Sequence, residues 1–359
     1  MLRPARHGIV IACATTSLAS AVSAAGIERA GPSSRVLFET GRYVEFSGTY
    51  ANPDLSGEGG EFPPGTPIPG TTGNILDSFT NFGAAYKADI NDRMSYAIIL
   101  DQPYGVSLSY PQGFYDGTSA TIDTTTLTGV LAYDITPAVK AWAGVRAQRM
   151  SADGAIPFLG DYTIETDTDI GYGYMLGVAY QKPEIALRVA LSYYSAIEQE
   201  FETVEFGAID GTLEVETPQQ VVLEFQSGIA VDTLVFGSIR WVDWPQFEID
   251  PQNYPLDIPL VSYEKPWTAY SLGIGRQFTD RLAGAFEVRY EPQTDTVQPA
   301  LGPVDGGTFL TASMSYDMEP FTISGGVTYG WLGDAENELG SSFNDGTIQG
   351  IGFRISYNF

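Results

Sequence analysis

The chain has 359 residues, of which 40 are Gly and another 40 are Tyr or Phe, while only 17% are charged. Gly, Thr, Tyr and Val fall in short alternating patches. Outside the N-terminus no apolar run approaches the roughly 18 residues of a membrane helix, which excludes an all-helical fold and a polytopic helical membrane protein. Asp and Glu outnumber Lys and Arg by 44 to 18, a net charge of −26 that repels nucleic acid and leaves no basic stripe for phosphates.

Residues 1–25 read as a secretory signal peptide: Arg3, Arg6 and His7 form a basic start, Gly8 to Leu18 an apolar stretch, and Val22-Ser23-Ala24-Ala25 a small-residue cleavage site. An uncleaved anchor is the alternative, and a lipoprotein reading through Cys13 fits poorly. Cleavage removes the chain's one Cys and one His, and leaves 16 basic against 44 acidic residues, or −28. The mature chain then has no disulfide, no thiol or imidazole nucleophile, no Ser-His-Asp triad and none of the usual zinc sites. No catalytic residue, cofactor or metal is expected, and the chain is not read as an enzyme.

Period-two alternation bounded by turn residues predicts fourteen strands, near 36–50, 74–90, 94–104, 120–135, 140–150, 169–181, 185–201, 216–231, 233–244, 267–278, 282–291, 308–317, 321–332 and 347–359. In the last of these, Ile351, Phe353, Ile355, Tyr357 and Phe359 share one face, and Gly350, Gly352, Arg354, Ser356 and Asn358 the other. A strand that is apolar on one face and small or polar on the other fits a wall between lipid and a polar lumen.

The connections alternate strictly. Tight ones, such as Asn91-Asp92-Arg93, Thr136-Pro137-Ala138 and Met318-Glu319-Pro320, alternate with long ones near 51–73, 105–119, 151–168, 202–215, 245–266, 292–307 and 333–346. This is the pattern of an all-β, 14-stranded antiparallel transmembrane β-barrel with short periplasmic turns and long extracellular loops. Aromatic residues near strand ends, among them Tyr86, Tyr104, Tyr133, Trp244, Trp267, Tyr316 and Trp331, are expected to form the headgroup girdles.

The pattern resembles the FadL/TodX family of outer-membrane transporters for long-chain fatty acids and hydrocarbons. The stretches RVLFETGRYVEFSGTYANPDLSG (35–57), NILDSFTNFGAAYKADINDRMSYAIILDQPYGVSLSYP (74–111) and FGSIRWVDW (236–244) carry the likeness, with the final Tyr-Asn-Phe. The resemblance implies that Tyr357 and Phe359 belong to the signal read by the outer-membrane assembly machinery. It also implies a monomeric protein of the Gram-negative outer membrane, in contact with lipid and lipopolysaccharide. Where the family carries an N-terminal hatch of about forty residues with an Asn-Pro-Ala motif, only residues 26–35 precede the expected barrel (36–359). The hatch is therefore expected to be reduced, and how the lumen is gated stays open.

The family's third strand kinks inward and opens the wall sideways. By resemblance Asp101, Pro103 and Gly105 mark that opening here; Pro cannot donate to a ladder, so the strand must bulge or stop at Pro103. The plain alternative is a strand ending at an external loop.

A fatty-acid site needs an apolar cleft and a cation or donor for the carboxylate. The inward basic residues are read as Lys140, Arg146, Arg188, Arg240, Arg289 and Arg354. The resemblance places Arg146 and Arg149 first for the carboxylate, with Arg240 and Arg354 as further candidates and Phe158 and Leu159 in the outer groove. The arginines could equally pair with Glu224, Glu287 or Glu291 to fill a polar lumen.

Segments 151–168, 202–217, 245–264 and 333–346 hold seventeen Asp or Glu and no Lys or Arg. Such a mouth repels anions over a Debye length of about 8 Å. It suits neutral hydrocarbons, protonated fatty acids or cation-bridged carboxylates, or it simply keeps the loops soluble. The sequence reading is thus a passive, ligand-gated transporter of hydrophobic compounds. A general or cation-selective diffusion porin and a surface structural or adhesin barrel are the alternatives.

Overall fold

A computed structural model describes residues 27–359; the expected signal peptide lies outside them. Fourteen strands form the wall. In chain order these are β1 (Tyr43–Asp54), β2 (Phe79–Asn91), β3 (Met94–Asp101, resuming at Gly105–Ser109), β4 (Ser119–Thr136), β5 (Val139–Ile156) and β6 (Asp169–Lys182). They continue as β7 (Leu187–Tyr194 and Ile197–Glu205), β8 (Ile209–Thr217 and Gln220–Ala230), β9 (Thr233–Val242) and β10 (Trp267–Gln277). The last four are β11 (Leu282–Glu291), β12 (Gly307–Asp317), β13 (Phe321–Leu332) and β14 (Thr347–Asn358). Each pairs antiparallel with its sequence neighbours, and β14 returns to β1 through pairs from Tyr43↔Asn358 to Asp54↔Thr347. The sheet is a closed fourteen-stranded barrel.

Alternation sets the two faces. Outside lie Phe46, Phe82, Leu127, Val145, Leu176, Leu272, Val327 and Phe353, all exposed. This apolar belt is what a bilayer would cover, and it far exceeds what a water-facing monomer shows. Toward the short-turn end the belt is edged by aromatic contacts: Tyr86–Tyr96 at 5.9 Å and a Phe321–Tyr357–Phe359 chain at 4.8 and 5.0 Å. Three residues assigned to the girdles by sequence lie inside instead. Tyr104, Trp244 and Trp267 are buried, because the backbone turns inward at Pro103 and again at Trp244–Gln246, just past the end of β9.

Two segments depart from the sequence reading. Arg35–Phe38, expected to open the first strand, is a 3₁₀ turn with Val36 and Leu37 buried, and β1 begins only at Tyr43. Its apolar residues serve a lumenal plug rather than the wall. Segment 202–217, read as an acidic loop, is instead a tight hairpin in which Ile197–Glu205 pairs with Ile209–Thr217. Phe206 and Gly207 turn at positive φ, and β7 and β8 thereby stand well above their neighbours.

Candidate functional site

The long-loop end of the barrel is filled by an apolar core. Tyr104, Leu108, Tyr110, Tyr162, Phe201, Trp244, Phe247, Tyr263, Trp267 and Phe343 belong to one buried cluster, with Phe158, Leu159 and Tyr254 packed against it. Trp244 sits at its centre, 5.2 Å from Tyr263, 5.7 Å from Phe247 and 6.2 Å from Tyr104. Phe158, carried on the short 3₁₀ turn Pro157–Leu159, stacks with Phe62, Phe114 and Tyr115, each at 5.3 Å. An acidic rim thus surrounds an aromatic mouth. Aromatic faces offer dispersion contact to an apolar guest at little cost in side-chain entropy.

Below the mouth, residues 27–42 run through the lumen. They are held by charge and ring contacts to seven strands. Glu28 accepts from both Nη atoms of Arg240, the Nη1 bond being 2.6 Å. Ser33 Oγ and the Ser34 amide donate to Glu224 at 2.7 and 3.0 Å. Arg35 binds Glu39 and Glu45, and Arg354 approaches the same Glu45 at 3.6 Å. Burial disfavours the Arg35 charge, yet Glu45, Tyr43 and Glu39 outweigh it and raise its pKa; burial likewise lifts the Glu39 carboxyl, against the pull of Arg35. The Leu37 carbonyl accepts from Lys140 at 2.9 Å. Phe38 lies under the Arg188 guanidinium at 4.3 Å and edge-on to Trp142 at 5.8 Å. A segment this short therefore plugs the lumen, because its charged and aromatic side chains find partners on several strands of the wall.

The sequence-derived cations separate accordingly. Arg240 and Arg354 face the lumen but serve the plug. Arg146 faces the lumen, buried, with its guanidinium 5.4 Å from the centre of the Tyr194 ring. Among the described residues no carboxylate lies within salt-bridge distance of it. Arg149 is a correction. Three residues along the strand from Arg146, it falls on the opposite, outer face, is exposed, and reaches only Thr168 Oγ1 at 3.4 Å. The two arginines cannot share a lumenal ligand.

The third strand breaks where Pro103 stands. The β2–β3 ladder ends at Ala84↔Leu100, and β3 resumes at Gly105↔Asp123 against β4, its other edge meeting residues 75–77 through a Leu76↔Leu108 bridge instead of β2. Side chains patch the break: Gln102 Oε1 accepts from the Phe82 amide at 2.8 Å, and Thr124 Oγ1 accepts from the Tyr104 amide and donates to the Tyr104 carbonyl. So the strand does not end at a loop; it is interrupted within the wall. A cavity of about 160 Å³ lies between plug residues 30–36 and the wall, lined by Arg35, Glu45 and Asp101 and by the strand stretches that carry Phe82, Leu100 and Phe353. On the outer surface Phe82 and Phe353 also border a furrow of about 870 Å³, floored by Gly325, Gly326 and Gly352. The role of the N-terminal segment was not legible in the sequence; the break at Pro103 was.

No sequence-family model and no curated protein sequence matches the chain. Solved structures do. A Pseudomonas aeruginosa FadL homologue superposes with a TM-score of 0.74 at 15% identity, over 90% of this chain and 91% of that one. The Pseudomonas putida toluene transporter TodX gives 0.66 at 14% over 92% of each, and the Ralstonia pickettii toluene transporter TbuX 0.64 at 13% over 90% of each. Over about 90% of its length, the chain has the fold of these barrels.

Proposed function

We propose that the chain is an outer-membrane transport protein that moves hydrophobic compounds, long-chain fatty acids or hydrocarbons, inward by passive, ligand-gated diffusion. The compound enters through the aromatic mouth, displaces the plug locally and leaves sideways at the β3 break into the bilayer. The carrying observation is that break: a wall whose β2–β3 ladder stops at Leu100, next to a cavity between plug and wall. The named activities of TodX and TbuX as toluene transporters agree with an apolar cargo. Arg146 is the lumenal cation left to meet a carboxylate if the cargo is an acid. Phe158 and Leu159 belong to the mouth, and Asp101, Pro103 and Gly105 to the exit.

A diffusion porin fits less well, since the plug and the aromatic core fill the cross-section an ion would need. No catalytic role is proposed: the described residues contain no His or Cys and no group of three or more potential metal ligands.

The test is to lock the wall. Gln102 Oε1 accepts from the Phe82 amide at 2.8 Å across the break, and both positions share the outward strand parity, so a paired Phe82→Cys and Gln102→Cys disulfide should bridge it. Cells carrying the oxidised variant should take up a fluorescent long-chain fatty acid at least about tenfold more slowly, with recovery on reduction. Unchanged uptake in the locked barrel sinks the sideways route.

A further inference from the structure

Arg29 does not stay in the lumen. Gly105 pairs with Asp123 and shares its outward-facing register position, and a Cβ on Gly105 would lie 2.5 Å from the Arg29 Cζ and Nε. The guanidinium therefore stands where an outward side chain of residue 105 would be. Its Nη1 reaches Asp123 Oδ1 at 3.5 Å, on the outer face of β4. Its guanidinium also lies over the Phe79 ring, with Cζ 5.1 Å from the centroid. Only 9% of the Arg29 side chain is exposed, against 66% for Asp123.

The backbone around Arg29 completes the wall. The Gly105 amide donates to the Ile27 carbonyl at 2.7 Å, and the Arg29 and Ala30 amides donate to the Pro103 carbonyl at 2.9 and 3.1 Å. Glu28 and Tyr104 form an antiparallel bridge. Residues 27–30 thus act as a short surrogate strand where β2 has left β3. Strand alternation sends Glu28 inward to Arg240 and Arg29 outward to Asp123, so the segment is clamped from both sides of the wall.

Resting on the transport reading, we propose that Arg29 is the latch of the sideways exit, with Asp123 as its keeper and Gly105 as the gap that admits it. The inner clamp is buried and bidentate; the outer one ends on an exposed carboxylate, the weaker kind of ion pair. Release of Arg29 from Asp123 frees the surrogate strand from the outer face and opens the break.

The test reads docking of the strand without any cargo. Ile27 is 1% exposed. In a Cys13→Ser background an Ile27→Cys chain, assembled in outer-membrane vesicles, is labelled with a small methanethiosulfonate. Arg29→Ala or Asp123→Asn should speed labelling about five- to tenfold, through loss of the ion pair and of the packed Arg stem. The exchange of Arg29→Asp with Asp123→Arg should restore slow labelling. Equal rates in all of these chains overturn the latch. Folding is checked first by heat-modifiable mobility on a gel. Should Arg29→Ala not fold, Gly105→Val, which crowds the guanidinium from its place, is used with the same expectation and the same overturning result. Fatty-acid uptake is measured separately in the same variants. Faster labelling with no uptake in any chain keeps the latch and fails the transport reading; uptake with unchanged labelling does the reverse.

Discussion

Glu28 and Arg240 lie 212 residues apart, yet their side chains meet as a bidentate, buried pair in the middle of the barrel. The Arg240 Nε also donates to Gln220 Oε1 at 2.8 Å, so the guanidinium is held on two sides. Removing one partner leaves a buried charge. Glu28→Ala should cost ~3–5 kcal/mol of plug and barrel stability, and the double change with Arg240→Met much less. Urea titration of the heat-modifiable band checks both. Planar-bilayer conductance should rise in the single variant as the plug loosens.

Trp142 lies flat over Gly177 on the neighbouring strand: a Cβ there would fall 2.2 Å from the ring. The ring in turn supports Phe38. Gly177→Ala should therefore tilt Trp142, cost ~1–3 kcal/mol by overpacking, and disturb the plug from beneath. Quenching of Trp fluorescence by a soluble quencher should increase relative to the parent chain.

Arg146 separates cargo classes. If an acid is carried, Arg146→Ala should weaken binding of a fluorescent long-chain fatty acid about tenfold or more, the worth of a charge-assisted hydrogen bond. Toluene binding should not change. Arg149→Ala, on the outer face, should alter neither. Equal fatty-acid affinity in the Arg146 and Arg149 variants would remove Arg146 from the site.

Tyr357 packs between Phe321 and Phe359 at the short-turn rim. The assembly signal that the family resemblance assigns to Tyr357 and Phe359 is open to a direct test. Deleting Phe359 should lower the heat-modifiable barrel recovered from the outer membrane several-fold, while refolding of the purified chain in detergent stays nearly as efficient.

The wall was legible because a two-residue period and tight Pro- or Asp-containing turns leave few other readings, and strands such as 321–332 and 347–358 follow them over most of their length. The plug was not. Val36, Leu37 and Phe38 are as apolar as any strand residue, and only their wall partners Lys140, Trp142 and Arg188, more than a hundred residues away, make them a plug. The raised hairpin hid behind its acidity, although Ile197, Gln199, Phe201, Thr203 and Glu205 keep a strict buried alternation. Arg149 was misplaced because the family stretch outweighed strand parity, which already separates it from Arg146. At the exit, Pro103 announced the break, but nothing local to it announced Arg29.

The plug precedes β1 without a linker, and at its foot Arg42 exchanges both backbone hydrogen bonds with Phe359, the last residue. Closing the cylinder therefore means joining β1 to β14, whereas the other ladders between the fourteen strands join strands adjacent in sequence. Loop-closure entropy grows with the logarithm of length, so a span of some three hundred residues costs ~2 kcal/mol more than a hairpin of twenty. Long-range pairing of this kind is slow to form. The β1–β14 seam is then the expected last event of assembly. Because residues 27–42 travel with β1, the barrel is sealed around its own stopper in that same event, and at no stage need a finished, empty pore exist.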